Sequence, residues 1–336
     1  MINTLAANAE KTEQQDRPTA ESLAVARAAG AFRLVDDGAT AVEVAGLLTT
    51  LAQGCPSTSW IAGTCLTAKT LVATLFPEAL RDDPDALFCG SGVPGGVGVR
   101  EADGVRLTGR WPNVSGCEDA ARTTVAALVD GVFSLLLLPS ADLTIDRTWQ
   151  MAGMRGTGSH TVVADGLLVP AERVAAFAVP SARDQQLFGI TVLAPVVGGT
   201  LGALELTREM FASDRKPFMT SYTRMGESAG ARHWLAEATT RTERAERSML
   251  AVAAELDTGA ELSDRDAARL HLDLTEAARD CRRAMDLLLD LHGASVFRTS
   301  NPVQRLWRDV NVASRHPKLI SYLAVEGYGE ALTKAP

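Results

Sequence analysis

Apolar positions along the chain change period twice. Residues 20–31 are alanine-rich and amphipathic and end near Gly30, and residues 41–52 repeat the pattern. Cys55-Pro-Ser-Thr-Ser-Trp60 is a break with helix-starting residues, followed by an apolar helix to Phe76 that stops at Pro77. From Ala86 to about Arg173 the period shortens, with Gly and Pro as punctuation. Candidate strands are residues 86–91, 98–102, 105–110, 123–129, 133–138 and 161–169. Many short strands between turn signals predict a small antiparallel barrel or sandwich. The helical period then returns at residues 195–212 and 230–256, and in a third stretch. There Ala267, Leu270, Leu274, Ala278, Cys281, Met285 and Leu288 share one face, with Arg and Asp opposite. Breaks at Thr258-Gly259 and Gly293 divide this part into about four helices, as in a bundle. The predicted class is α+β, mostly α: helices over 1–85, a β-domain over 86–175, a helical bundle over 185–336.

Composition adds exclusions. A net charge of -8, with basic residues mixed among acids as in Arg241-Thr-Glu-Arg-Ala-Glu-Arg247, disfavours nucleic acid and anionic membranes as partners. The greasiest run, Val132-Phe-Ser-Leu-Leu-Leu-Leu-Pro139, is too short to span a bilayer, so no membrane span is expected. The N-terminus has no basic region followed by an apolar one, so no signal peptide is expected and the compartment is read as the cytoplasm. Cys55, Cys65, Cys89, Cys117 and Cys281 are scattered without zinc spacing; they read as small buried hydrophobes, and no metal is expected.

Several segments carry polar chemistry. The stretch from Trp149 to His160 is rich in Gly and hydroxyls, and it leads through a β-type run to Val169-Pro-Ala-Glu-Arg173. Its Thr157, Ser159 and His160 can touch a ligand or simply form tight turns. Cys89-Gly-Ser-Gly-Val-Pro-Gly-Gly96 is no dinucleotide fingerprint, because no helix follows it, and it also reads as a hairpin turn. Trp111 can be a flat apolar wall or a core residue, and Ser115 a donor or a turn residue before Gly116. His316, before Pro317, can titrate near working pH or cap a helix end. Arg305, Arg308 and Asp309 can be a structural ion-pair network.

Four ordered patterns point further. Cys55-Pro-Ser-Thr-Ser-Trp60, Gly109-Arg-Trp-Pro-Asn-Val-Ser-Gly116, Gly153-Met-Arg-Gly-Thr-Gly-Ser-His160, and Gln304-Arg-Leu-Trp-Arg-Asp309 with Arg315-His-Pro317 resemble the acyl-CoA dehydrogenase superfamily. Within it the chain is most similar to the group D two-component flavin-dependent monooxygenases, from about Ala20 to Leu332. The resemblance implies reduced FMN or FAD as cofactor, a separate flavin reductase, a homotetramer or homodimer, and oxidation of a small organic substrate at carbon or nitrogen.

By the same resemblance, Ser115 neighbours flavin N5, with Asn113 and Val114 along the ring and Trp111 as its wall. Ser91 is the surviving hydroxyl of a flavin-binding turn. Arg215 matches an Arg that binds the phosphate of a neighbouring subunit's flavin, and Gly293-Ala294 matches a pair beside its nucleotide part. Asp290 stands where the family has Gln, which leaves FMN or FAD open. His316 is the acid–base residue, together with Ser115 the catalytic pair. The dehydrogenase carboxylate is absent in that register, where His316-Pro317 stand, and Glu326 lies further along. Thr157, Ser159 and His160 are substrate-side candidates. The helix after Trp60 lacks the branch's His, so either Lys69 or Thr67 takes its place or the substrate is something other than a phenol. The alternatives are an acyl-CoA or acyl-carrier-protein dehydrogenase, and a flavin-free relic that binds a metabolite or partner.

Overall fold

The computed structural model describes residues 1–80 and 83–334. The N-terminal layer holds α1 (Ile2–Gln14), α2 (Ala20–Ala28), α3 (Ala41–Gly54) and α4 (Pro56–Leu75). Thr40 starts α3 with a reciprocal cap: its hydroxyl accepts from the Glu43 amide while the Glu43 carboxylate accepts from the Thr40 amide. Pro56 occupies the first turn of α4, where its missing N–H costs nothing.

The strands are β1 (Phe88–Glu101), β2 (Gly104–Val114), β3 (Arg122–Val129), β4 (Val132–Pro139), β5 (Thr144–Asp146), β6 (His160–Val169) and β7 (Val174–Ala176). They form one mixed sheet in the order β5-β6-β2-β1-β3-β4-β7. The expected all-antiparallel arrangement is corrected in one place, since β1 and β3 pair in parallel. The hairpin turn considered at residues 89–96 is also corrected. β1 runs through it as one strand, absorbing Pro94 as an irregularity in register against β3.

Strands β3 and β4 bury both faces. Val125, Ala127, Val129, Leu136 and Leu138 enter a core of the strand layer, while Ala126, Leu135 and Leu137 join the large helical core.

The last part holds α5 (Ala182–Ala212), α6 (Ala229–Asp257), α7 (Asp264–His292), α8 (Pro302–Ala313) and α9 (Ser321–Thr333). Ser181, Ser228, Ser263 and Asn301 cap α5 to α8 by accepting backbone N–H groups of the first turn. Helix α5 starts well before Pro195, which sits inside it. It is long and apolar enough to cross a membrane by length and composition, which corrects the expectation that no segment is. Of its most apolar window, 83% is buried inside the protein.

Helix α5 also approaches α3 and α4 closely. A Cβ on Gly198, Gly202 or Gly63 would stand within 2.3–2.6 Å of the carbonyl oxygens of Thr49, Gln53 and Thr191. Only glycine permits these contacts.

Candidate active site

A cluster forms where the second turn of α4, the end of β2, the loop before β6 and the turn after α8 meet. The Trp60 indole N–H donates to Ser115 Oγ at 3.1 Å. Ser115 Oγ lies 2.8 Å from Ser159 Oγ, which lies 2.7 Å from Thr157 Oγ1. Thr157 Oγ1 donates to the Met154 carbonyl at 2.8 Å. The His316 ring meets the Trp60 ring edge to face, with centroids 5.5 Å apart. All five of these side chains except His316 are buried.

His316 serves as the N-cap of a short 3-10 turn: its Nδ1 accepts from the Lys318 amide at 3.3 Å. With Nδ1 an acceptor, the proton of the neutral ring sits on Nε2, so Nε2–H is a donor toward anything beside it. Burial, reinforced by the Lys318 charge, pushes the ring's pKa down to about 4, so it is neutral near pH 7.

The loop carrying Thr157 and Ser159 is anchored from behind. Met154 is left-handed at φ 54°, and its amide donates to the Asp309 carboxylate on α8. Burial, with Glu13 nearby, raises Asp309 to about 6 against the lowering effect of that amide. Asp309 is therefore a backbone anchor in place of an ion-pair member. Arg308 pairs with Glu13 and donates to Gln304 Oε1 and the Ala152 carbonyl.

Four expected residues lie elsewhere. Trp111 is fully buried in the strand-layer core, donates to the Ala126 carbonyl at 2.7 Å and packs beneath Gly95, Gly96 and Gly109. Val114 joins the same core. Neither side chain presents a wall to a ligand, because a side chain filling a core has no free face. His160 points away from the hydroxyls: its Nδ1 accepts from the Trp149 amide, and its Nε2 faces Glu118 Oε2 at 3.7 Å. Burial lowers its pKa. The Lys69 ammonium is buried against Asp36 at 3.0 Å and the Pro84 carbonyl, so it is not a substrate-side group.

Asn113 is exposed with φ 62°, and Ser91 lies on the β1 irregularity with its hydroxyl on the Val93 amide. Arg215 donates to the His292 carbonyl and Ser295 Oγ at the end of α7, beside Gly293 at φ 65°. Glu326 is exposed on α9. The five cysteines are buried free thiols, as expected. In the sequence Trp60 is the end of a helix-start segment, and nothing in the spacing shows that its indole meets Ser115.

A cavity of about 550 Å³ lies between the end of α4 and the strand layer, lined by Phe76, Arg122, Leu137 and Arg173 among others. It does not include the cluster.

Helices, a strand layer and a bundle joined around this cluster define an acyl-CoA dehydrogenase-type architecture. The family described as acyl-CoA dehydrogenase, C-terminal domain, matches residues 190–319. The chain is 30% identical to the FADH(2)-dependent resorcinol hydroxylase, oxygenase component, of Rhizobium sp. (strain MTP-10005), over 92% of this chain and 86% of that one. XiaF from Streptomyces sp., solved in complex with FADH2 and glycerol, superposes with a TM-score of 0.91 at 27% identity, covering 99% of this chain and 93% of that one. The 3-HSA hydroxylase from Rhodococcus sp. RHA1 gives 0.87 at 25%, covering 100% and 95%. The chain belongs to the oxygenase components of two-component flavin-dependent monooxygenases.

Proposed function

We propose that this chain takes reduced flavin from a separate reductase and uses O2 to hydroxylate a small organic substrate, an electron-rich aromatic ring being favoured by its relatives' names. The observation that carries the reading is the Trp60–Ser115–His316 cluster, which puts one hydroxyl and one neutral imidazole at the junction of all three layers.

The donor set fits a flavin. The three residues of the hydroxyl chain are all buried, Ser115 at 7%, Ser159 at 4% and Thr157 at 1% exposure. Ser115 stands at the end of the chain nearest Trp60 and His316 and in the segment that resembles the family's flavin-side strand, and we assign it to the N5 edge of the ring. Arg215 would serve a phosphate, with Gly293 beside the nucleotide part and Asn113 and Ser91 at the ring's periphery. Reduced flavin, when bound, supplies two electrons and activates O2, one atom of which goes to substrate and the other to water.

In this scheme His316 donates from Nε2 to a substrate or oxygen atom and, being neutral, does not repel a cationic group. The buried apolar surroundings of Trp60 exclude water. FMN and FAD are both compatible, since XiaF is a complex with FADH2 and Asp290 replaces the family's Gln.

A homo-oligomer is part of the proposal. Phe218 and Met219, close to Arg215, are 91% and 89% exposed, an apolar pair that a second copy would cover. Five free thiols suit a reducing compartment, the cytoplasm.

The test is anaerobic titration with reduced FMN and reduced FAD, then mixing with oxygen while absorbance is followed. A transient distinct from reduced and oxidised flavin supports the oxygenase. Tight binding with slow reoxidation and no transient favours the dehydrogenase reading. Binding of neither flavin leaves the relic.

A further inference from the structure

The hydroxyls around Ser115 form a chain whose direction the geometry fixes. A carbonyl oxygen cannot donate, so the hydrogen between Thr157 Oγ1 and the Met154 carbonyl, 2.8 Å apart, belongs to Thr157. That carbonyl also receives the Trp149 indole N–H and the Thr157 amide. Thr157 has then spent its only hydroxyl hydrogen, so the 2.7 Å contact with Ser159 is made by the hydrogen of Ser159. Ser159 is spent in turn, so the 2.8 Å contact with Ser115 is made by the hydrogen of Ser115. The Trp60 indole, a donor only, fills one Ser115 lone pair. All arrows run one way, from Trp60 through Ser115, Ser159 and Thr157 to Met154. Ser115 keeps one lone pair and no free hydrogen.

We infer that Ser159 and Thr157 are positioning residues that lock Ser115 as an acceptor, and that the locked Ser115 makes the site select reduced over oxidised flavin. The inference rests on the reading that Ser115 faces flavin N5. Reduced flavin carries N5–H, a donor that matches the free lone pair. Oxidised flavin carries a bare N5 lone pair, which would meet an oxygen lone pair. One made hydrogen bond against one frustrated contact in a buried site corresponds to roughly a tenfold difference in affinity. The selection serves a protein that receives reduced flavin and must let oxidised flavin go.

The measurement is the ratio of dissociation constants for oxidised and reduced FMN, by anaerobic titration of wild type and variants. In Ser159→Ala the Ser115 hydrogen is freed to turn toward N5, and the preference for reduced FMN falls by roughly tenfold. Thr157→Val lets Ser159 donate back to Ser115 and shifts the ratio the same way, a second reading should Ser159→Ala fold poorly. Trp60→Phe removes a donor but leaves the direction of the chain intact, so its ratio stays at the wild-type value. The midpoint potential of bound flavin follows the same ratio, about 30 mV per tenfold for two electrons. A wild type without preference, or a ratio unchanged in both hydroxyl variants, overturns the inference while leaving the oxygenase assignment standing. Wild type that binds neither form overturns the assignment and the inference together.

Discussion

Trp60 and His316 meet edge to face, with ring centroids 5.5 Å apart and planes at 73°. The same indole donates to Ser115, so one side chain touches both expected catalytic residues. Trp60→Phe keeps an aromatic ring against His316 but loses the N–H and part of the indole's volume, and should cost about 1–3 kcal/mol in unfolding free energy. Trp60→Ala removes the ring from a packed junction and should cost about 3–5 kcal/mol. Urea unfolding of the two variants checks the difference.

His316 acts as a donor if its Nδ1 stays on the Lys318 amide. His316→Gln keeps a side-chain N–H and should retain substrate turnover within about tenfold, whereas His316→Ala should lose roughly a hundredfold or more. Equal losses in both variants would point to a proton-transfer role that Gln cannot fill. Because the folded pKa is about 4, turnover should not show a His316 titration near pH 6.5.

Asp309 and His316 oppose one another in pH dependence. The Asp309 pKa is raised to about 6, so the folded state holds its proton more tightly, and stability falls as pH rises from about 4 to 6. The His316 pKa is lowered to about 4, so the unfolded state binds the proton more tightly, and stability falls as pH drops from about 6.5 to 4. Asp309→Asn keeps an oxygen for the Met154 amide and removes the first effect. It should gain on the order of 1–3 kcal/mol at pH 7 and show a steeper loss on acidification, as measured by urea unfolding across pH 4–7.

Lys69→Met tests the role withdrawn from Lys69. Its partner Asp36, an exposed residue whose side chain is 16% accessible, would lose its ion pair, costing about 1 kcal/mol. Turnover per folded molecule, and substrate KM, should stay at wild-type values. A selective rise in KM would restore Lys69 to the substrate side.

Much of this architecture was legible in period alone, because α3, α4 and α7 bury continuous apolar stripes and the strands are short β-branched or apolar runs between turn signals. Helix α1 was not. Only Leu5, Ala9 and Thr12 are buried on it, too thin a stripe to stand out in a polar segment. The start of α5 was misread because Pro195 looks like a first-turn residue, yet the surrounding bundle holds it inside a 31-residue helix.

The site was legible in part. Ser115, Ser159, Thr157 and His316 were all in view, and the structure joins the hydroxyls in one chain, with His316 beside Trp60. Trp60 escaped because its partner is 55 positions away. Trp111 and Val114 were misplaced because the β2–β6 register is broken between them, which turns both positions into the strand-layer core where regular alternation would separate them.

The glycines of α5 and α4 have a mechanical consequence. Where backbones touch without side chains between them, one helix cannot slide past another by a turn without carbonyls colliding. The helical entry layer and the bundle therefore move as one block. Any opening of the site then has to occur without sliding α5 along α3 or α4.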